Sequence, residues 1–346
     1  MLKRVLRKCL IVAAALAVLW FGAALVMVFW PAPKFAHPLA DVTANSAQVV
    51  TPANANAEAR TEGFRIRDGA LLQGRQFASN APVTVLFLHG VMSSSEEYVE
   101  TCRQLHESTG AEVIALDLRG HGKSEGKPGD ISYIGQYEDD VADVIAALRL
   151  QKPGSRIILA GHSMGGGITM RYAATHEAPA ADAYLLFAPH LGFKSTTTRT
   201  EPPQGHASED EAPLKLHLPR TIGLVMLNAA GVRWLNGFDT LFFNVPAQYP
   251  IHAYTFRAMV SMTPEDHVVA MTADAKPLLV IVGRNDEAFH ADRYASVVSL
   301  HQHGETVVIE GETHDSIVHS SAALRSAAEW VRSVPNTVVQ NMEESR

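Results

Sequence analysis

The chain carries two regimes of hydrophobic patterning. Cys9 to Trp30 is an unbroken apolar run, CLIVAAALAVLWFGAALVMVFW. Coiled as a helix, a run of this length crosses a hydrocarbon core of about 30 Å. Lys3, Arg4, Arg7 and Lys8 precede it and only Lys34 follows closely. The bias of cationic residues toward the inner side therefore makes residues 1–8 a cytoplasmic stub, 9–30 a transmembrane signal-anchor, and the remainder extracytoplasmic. A cleaved signal peptide is the alternative, but its apolar region usually runs about 7 to 15 residues, shorter than this one. Residues 31–61 are rich in Ala, Pro, Asn and Thr with little periodicity, which reads as a linker holding the rest off the bilayer.

From Gly63 the pattern changes to FRIRDGALLQGRQF, two short alternating runs around Asp68-Gly69 and hence a hairpin. It opens a folded domain over 62–335, followed by a tail at 336–346. Strand candidates Val83 to Leu88, Val113 to Leu118, Arg156 to Ala160, Tyr184 to Phe187, Leu278 to Val282 and Thr306 to Ile309 alternate with helical stretches. Among these stretches are Ser95 to Glu107, opened by a serine cap, and Tyr137 to Leu150. That order predicts an α/β fold with a mostly parallel central sheet and helices on both faces. One interval breaks the rhythm. Between His190 and Lys276 no clear strand is readable, and the polar STTTRTEPPQGHASEDEAP leads into apolar segments such as Ile222 to Leu235. So long an insertion (190–276) predicts a lid or cap.

Composition narrows the function classes. The net charge of −7 over 346 residues, without a basic patch interleaved with aromatics, excludes the electrostatic footprint of nucleic-acid binding. Cys9 and Cys102 are the two cysteines, and Cys9 edges the apolar run, so no disulfide is expected within the soluble part. Sixteen histidines are present, but no HExxH and no paired CxxC, so no motif stands behind a metal site and none is expected.

Candidate chemistry sits where strands end. Ile157 to Ala160 run into Gly161-His162-Ser163-Met164-Gly165 and then a helical stretch, the setting in which GxSxG presents a serine on a tight strand-to-helix elbow. Gly161 and Gly165 are small because the elbow brings backbone into contact around Ser163. Serine needs a base oriented by a third group. Asp286, in Gly283-Arg284-Asn285-Asp286, and His314, in Gly311-Glu312-Thr313-His314, each follow a strand candidate, and the order Ser163, Asp286, His314 is the one this fold uses. The rivals His319, His290, Asp292 and Asp315 suit caps or solvated positions better, with Asp315 read as the N-cap of the last helix and His319 inside it. An oxyanion needs two amides, here Met164 and one from Leu88-His89-Gly90-Val91-Met92, with Val91 ahead of Met92; Gly90 lets that loop turn and His89 braces it.

His89-Gly90, Asp117-Leu118-Arg119-Gly120-His121-Gly122-Lys123-Ser124, Gly161 to Gly166 and the Asp286 and His314 loops together resemble the α/β-hydrolase superfamily, particularly its monoacylglycerol lipase and lysophospholipase-like branch, also grouped with serine aminopeptidases. The resemblance covers about residues 63–334. It implies a Ser-His-Asp triad, no cofactor, a lid over an acyl pocket formed by the insertion after the sixth strand, and structural roles for His121 and Ser124. The expected function is a membrane-anchored carboxylic-ester hydrolase acting on lipid-like or other apolar acyl esters. Its Ala-rich composition points to a bacterial inner membrane and a periplasm-facing domain. Two other readings stand beside it. One keeps the triad for terminal peptide cleavage, with Glu209-Asp210-Glu211 holding the substrate amine, or for acyl transfer. The other is a tethered, non-catalytic binding protein.

Overall fold

A strand apolar on both faces is stable only where both faces are covered, and in VTVLFL (Val83–Leu88) every residue from Val85 onward is fully buried. A computed structural model describes residues 2–35, 59–175, 179–199 and 212–335. The strands in chain order are β1 (Arg60–Arg65), β2 (Leu71–Phe77), β3 (Val83–Leu88), β4 (Glu112–Leu116), β5 (Arg156–His162), β6 (Ala183–Phe187), β7 (Leu214–Leu216), β8 (Asp239–Phe243), β9 (Ala253–Thr255), β10 (Leu278–Gly283) and β11 (Gly304–Ile309). Eight of them form one sheet of order β1-β2-β4-β3-β5-β6-β10-β11. β1 and β2 are an antiparallel hairpin turned at Gly69, whose φ of 88° suits a residue without a Cβ. β2 also runs antiparallel to β4, and the pairings from β4 to β11 are parallel.

The helices are α1 (Leu2–Val28), α2 (Val99–Thr109), α3 (Gln136–Gln151), α4 (Met164–Ala173), α5 (Leu218–Ala229), α6 (Phe256–Ser261), α7 (His267–Thr272), α8 (Tyr294–Val298) and α9 (Ser321–Ser333). α2 and α9 cover one face of the sheet, burying Val99, Leu105, Leu324 and Trp330 against Val85 and Phe87. α3, α4 and α8 cover the other, burying Val141, Ile145, Ile168 and Tyr294 with Leu86 and Leu88. This is the α/β-hydrolase fold.

Three local expectations are corrected. The helix expected over 95–107 begins as a tight 3-10 turn, Ser95–Tyr98, and no serine side chain caps it. Its first N–H is instead held by Asp117, whose Oδ1 accepts from Ser95 N at 2.6 Å. Asp315 does not cap the last helix: it precedes a separate 3-10 turn, Ser316–His319, and Ser320 caps α9 by accepting from Ala323 N. The insertion does contain strands, because β7, β8 and β9 pair as a three-stranded antiparallel sheet. β7 and β9 have three residues each and β8 five, too few for an alternation to register against the surrounding sequence. Residues 200–211, including Glu209-Asp210-Glu211, lie outside the described residues.

α1 is 27 residues, long and apolar enough to cross a membrane, and of its side chains only Ala24 and Val28 are buried. Most of the expected linker, residues 36–58, lies outside the described residues. The cap bonds directly to this end of the chain, with Arg220 Nε donating to Val28 O at 2.9 Å and Lys215 Nζ to Lys34 O at 3.0 Å.

Candidate active site

β5 hands directly to α4 through Ser163, and the turn is steep. Ser163 sits at φ 51°, ψ −112°, a conformation that side-chain-bearing residues rarely adopt and that persists only where surroundings enforce it. Three backbone bonds do so: Ser163 N donates to Phe187 O, while Ser163 O accepts from Gly167 N and His190 N, all within 2.9–3.0 Å. The two glycines of the motif are sterically required. A Cβ on Gly161 would stand 2.4 Å from the carbonyl carbon of Gly165, and one on Gly165 would stand 2.3 Å from Leu88 O.

The three residues expected to act together are brought together. His314 Nε2 lies 3.0 Å from Ser163 Oγ, and His314 Nδ1 lies 3.0 Å from Asp286 Oδ2. Asp286 is fully buried and held by Ala288 N and Phe289 N, which donate to its Oδ1 at 2.8 and 2.7 Å. A fixed carboxylate on Nδ1–H leaves Nε2 as the acceptor for the serine hydroxyl. Burial pushes the imidazole down, but the hydrogen bond and charge of Asp286, with Asp315 and Glu287 nearby, outweigh it and hold His314 above its ordinary value.

Two of the rivals are engaged elsewhere. His319 Nδ1 meets Thr101 Oγ1 at 3.0 Å, and Asp292 pairs with Arg293 at the exposed start of α8. His162, His314 and Asp315 each bring a potential metal-binding atom within 4.8 Å of the others. The nitrogens of both histidines are, however, already engaged with protein groups, so the donor set does not fit a metal.

Two tyrosines fix the loop after β3. The Tyr98 hydroxyl accepts Gly90 N–H at 3.1 Å and donates to His162 Nδ1 at 2.8 Å. His162 in turn donates through Nε2 to His314 O at 3.0 Å. Burial, followed by the neighbouring His314, holds His162 well below the ordinary histidine value, so it is neutral and has one proton to give. On the other side, the Tyr254 hydroxyl from β9 of the cap accepts Met92 N–H at 2.9 Å and donates to His121 Nε2 at 2.7 Å. Burial pushes His121 down to about 3, and its Nδ1–H goes to Arg119 O. His89 donates to Gly90 O and accepts from Leu118 N, a brace across the loop. Ser124 Oγ likewise donates to Asp117 O at 2.6 Å.

The backbone amides beside Ser163 differ in how they are engaged. Gly90 N and Met92 N are both occupied, whereas Val91 N has no acceptor among the described residues. Met164 opens α4, and its N–H is one of the first-turn donors that helix carbonyls cannot reach. Tyr98, Tyr254 and the bracing role of His162 carry no signal in the sequence, because each acts across elements distant in the chain.

The family described as serine aminopeptidase, S33, matches residues 79–216. A multifunctional-autoprocessing repeats-in-toxin protein of Vibrio vulnificus is 35% identical over 148 residues, which is 41% of this chain and 3% of that protein. A monoacylglycerol lipase of Mycolicibacterium smegmatis is 32% identical over 92 residues, 27% of this chain and 32% of the lipase. The chain thus spans less than two thirds of these relatives. Among solved structures, a bacterial membrane phospholipase A superposes with a TM-score of 0.56 at 22% identity, covering 96% of this chain and 100% of that one.

Proposed function

We propose that this chain, which has the α/β-hydrolase fold and matches the serine aminopeptidase family over residues 79–216, is a membrane-anchored serine hydrolase cleaving carboxylic esters of lipid-like or other apolar acyl groups. The observation that carries this reading is the relay from Asp286 through His314 to Ser163, with both links at 3.0 Å. As Ser163 Oγ attacks the ester carbonyl carbon, its proton passes to His314 Nε2 and the carbonyl electrons move onto oxygen. The amides of Met164 and Val91 hold that oxyanion. Collapse expels the alcohol oxygen, which takes the proton from His314, and leaves the acyl group on Ser163. Water then adds by the same route, giving up its proton to His314; collapse releases the carboxylic acid and returns the proton to Ser163 Oγ. Asp286 orients the imidazole and balances its transient positive charge without taking the proton.

The length of α1 and the charges before it support an anchor at residues 9–30, a cytoplasmic N-terminus and a domain on the outer face of a bacterial inner membrane. A fluorophosphonate probe is expected to label wild-type protein and not Ser163→Ala; equal labelling of the two would remove the proposed nucleophile. The serine aminopeptidase family match favours a second reading, cleavage of a terminal peptide bond by the same residues. Medium-chain nitrophenyl esters are expected to turn over far faster than aminoacyl nitroanilides, and the reverse would favour the peptidase.

A further inference from the structure

The cap is locked to the end of the apolar helix, and the register of that lock sets its depth. Arg220 donates to Val28 O at 2.9 Å and to Trp30 O at 3.2 Å, filling carbonyls that the end of α1 leaves open. His217 accepts Arg220 N–H through Nδ1 and donates through Nε2 to Trp30 O at 3.1 Å. Three residues further along α5, Gly223 meets an earlier stretch of α1: a Cβ there would stand 2.6 Å from Ala24 O and 3.0 Å from Met27 Cβ. As α5 advances, its partner recedes from Trp30 toward Ala24, so the two helices run antiparallel. A 12-residue helix is about 18 Å long. α5 therefore lies alongside the last turns of the apolar run, not beyond them.

The side of α5 turned away from α1 and the cap core is apolar and uncovered. Leu218, Ile222 and Val225, at helical spacing, are 56%, 42% and 55% exposed, and Trp234 is 79% exposed shortly after. In water such a stripe is unfavourable, and beside a membrane span it continues the span's own surface. Phe29 and Trp30 close α1, and Phe29 packs edge-on against Phe238 of the cap at 5.4 Å, so aromatic groups gather where an interfacial belt is expected.

We infer that α5 is embedded in the lipid leaflet beside α1, with Leu218, Ile222 and Val225 facing acyl chains. The cap that reaches Met92 through Tyr254 is then seated in the bilayer surface. This rests on the reading of α1 as an anchor, and it deepens the proposed substrate class to acyl esters resident in that leaflet.

Spin labels in full-length protein in phosphatidylethanolamine/phosphatidylglycerol nanodiscs test it without reference to activity. Single cysteines at Leu16→Cys on α1, Val225→Cys on α5 and Ser296→Cys on the exposed side of α8 are made in a Cys9→Ala background. Cys102 stays, since it is buried and its thiol is pushed up by that burial. Labels at 16 and 225 are expected to collide severalfold more with oxygen than with an aqueous nickel chelate, and the label at 296 to show the reverse. A lipid-exposed label at 16 with an aqueous label at 225 would overturn the inference and leave the anchor standing. An aqueous label at 16 would remove the anchor and the inference with it. Adding Gly223→Leu should carry the label at 225 toward water, and a label that stays in lipid would show that the helix lock does not seat the cap.

Discussion

Asp286→Asn changes one atom in the relay and leaves its shape. The Asp286 Oδ1 already takes the amides of Ala288 and Phe289 at 2.8 and 2.7 Å, and an asparagine keeps both bonds with its own oxygen. Its NH2 then lands where Oδ2 faces His314 Nδ1 at 3.0 Å. Two donors would meet there unless the ring moves its proton to Nε2. That tautomer turns an N–H toward Ser163 Oγ and abolishes the base. Loss of the correct tautomer in a triad costs about 10⁴ in kcat, which at about 1.36 kcal/mol per decade corresponds to about 5.4 kcal/mol of transition-state stabilisation. The assay is kcat for a nitrophenyl butyrate at pH 8, with a thermal melt showing that the variant is folded. A folded Asp286→Asn within tenfold of wild type would refute the reasoning.

Three further outcomes follow from the same geometry. As the proposed base, His314 must be neutral to act; it is held above its ordinary value of 6.5 because Asp286 outweighs burial, so activity is expected to be lost as pH falls through that raised value. The acidic limb of kcat/KM for soluble esters is expected to have its midpoint above 6.5, and a midpoint below 6 would contradict the coupling. Tyr254→Phe strands Met92 N–H and His121 Nε2, which should cost about 1–3 kcal/mol of stability by urea unfolding and lower kcat more than it raises KM; unchanged kcat would show that the cap does not position the loop. Gly165→Ala places a Cβ 2.3 Å from Leu88 O, and forcing atoms into so tight a site is expected to destabilise the fold by about 1–3 kcal/mol in the same titration, whereas wild-type stability would mean that the elbow can open.

The parts of the fold readable in the sequence are those governed by local rules. β3 and β5 are continuous apolar runs because both of their faces are covered, and the GxSxG elbow is written in adjacent residues. The Asp286 and His314 loops are legible because each follows a strand of the parallel sheet, buried β10 and edge strand β11. Other features depend on partners far away in the chain. β7 and β9 are three residues each and owe their pairing to β8, so no periodicity marks them. Ser95 takes its cap from Asp117, and Ser320, not Asp315, caps α9, because neighbouring turns decide which side chain reaches a helix end. Tyr98 and Tyr254 join the site from α2's leading turn and from the cap. The lock of Arg220 and Gly223 onto α1 joins residues nearly two hundred positions apart, so neither the apolar run nor the inserted segment signals the other.

In the proposed reaction Ser163 carries the acyl group between the two half-reactions. The most direct measurement is mass spectrometry of the protein quenched in acid within milliseconds of mixing with excess nitrophenyl ester, followed by digestion. The peptide containing Gly161 to Gly165 is expected to gain the mass of the acyl group, with the modification on Ser163, and Ser163→Ala is expected to show none. Turnover of the ester with no acylated peptide, or with the acyl group on another residue, would contradict it.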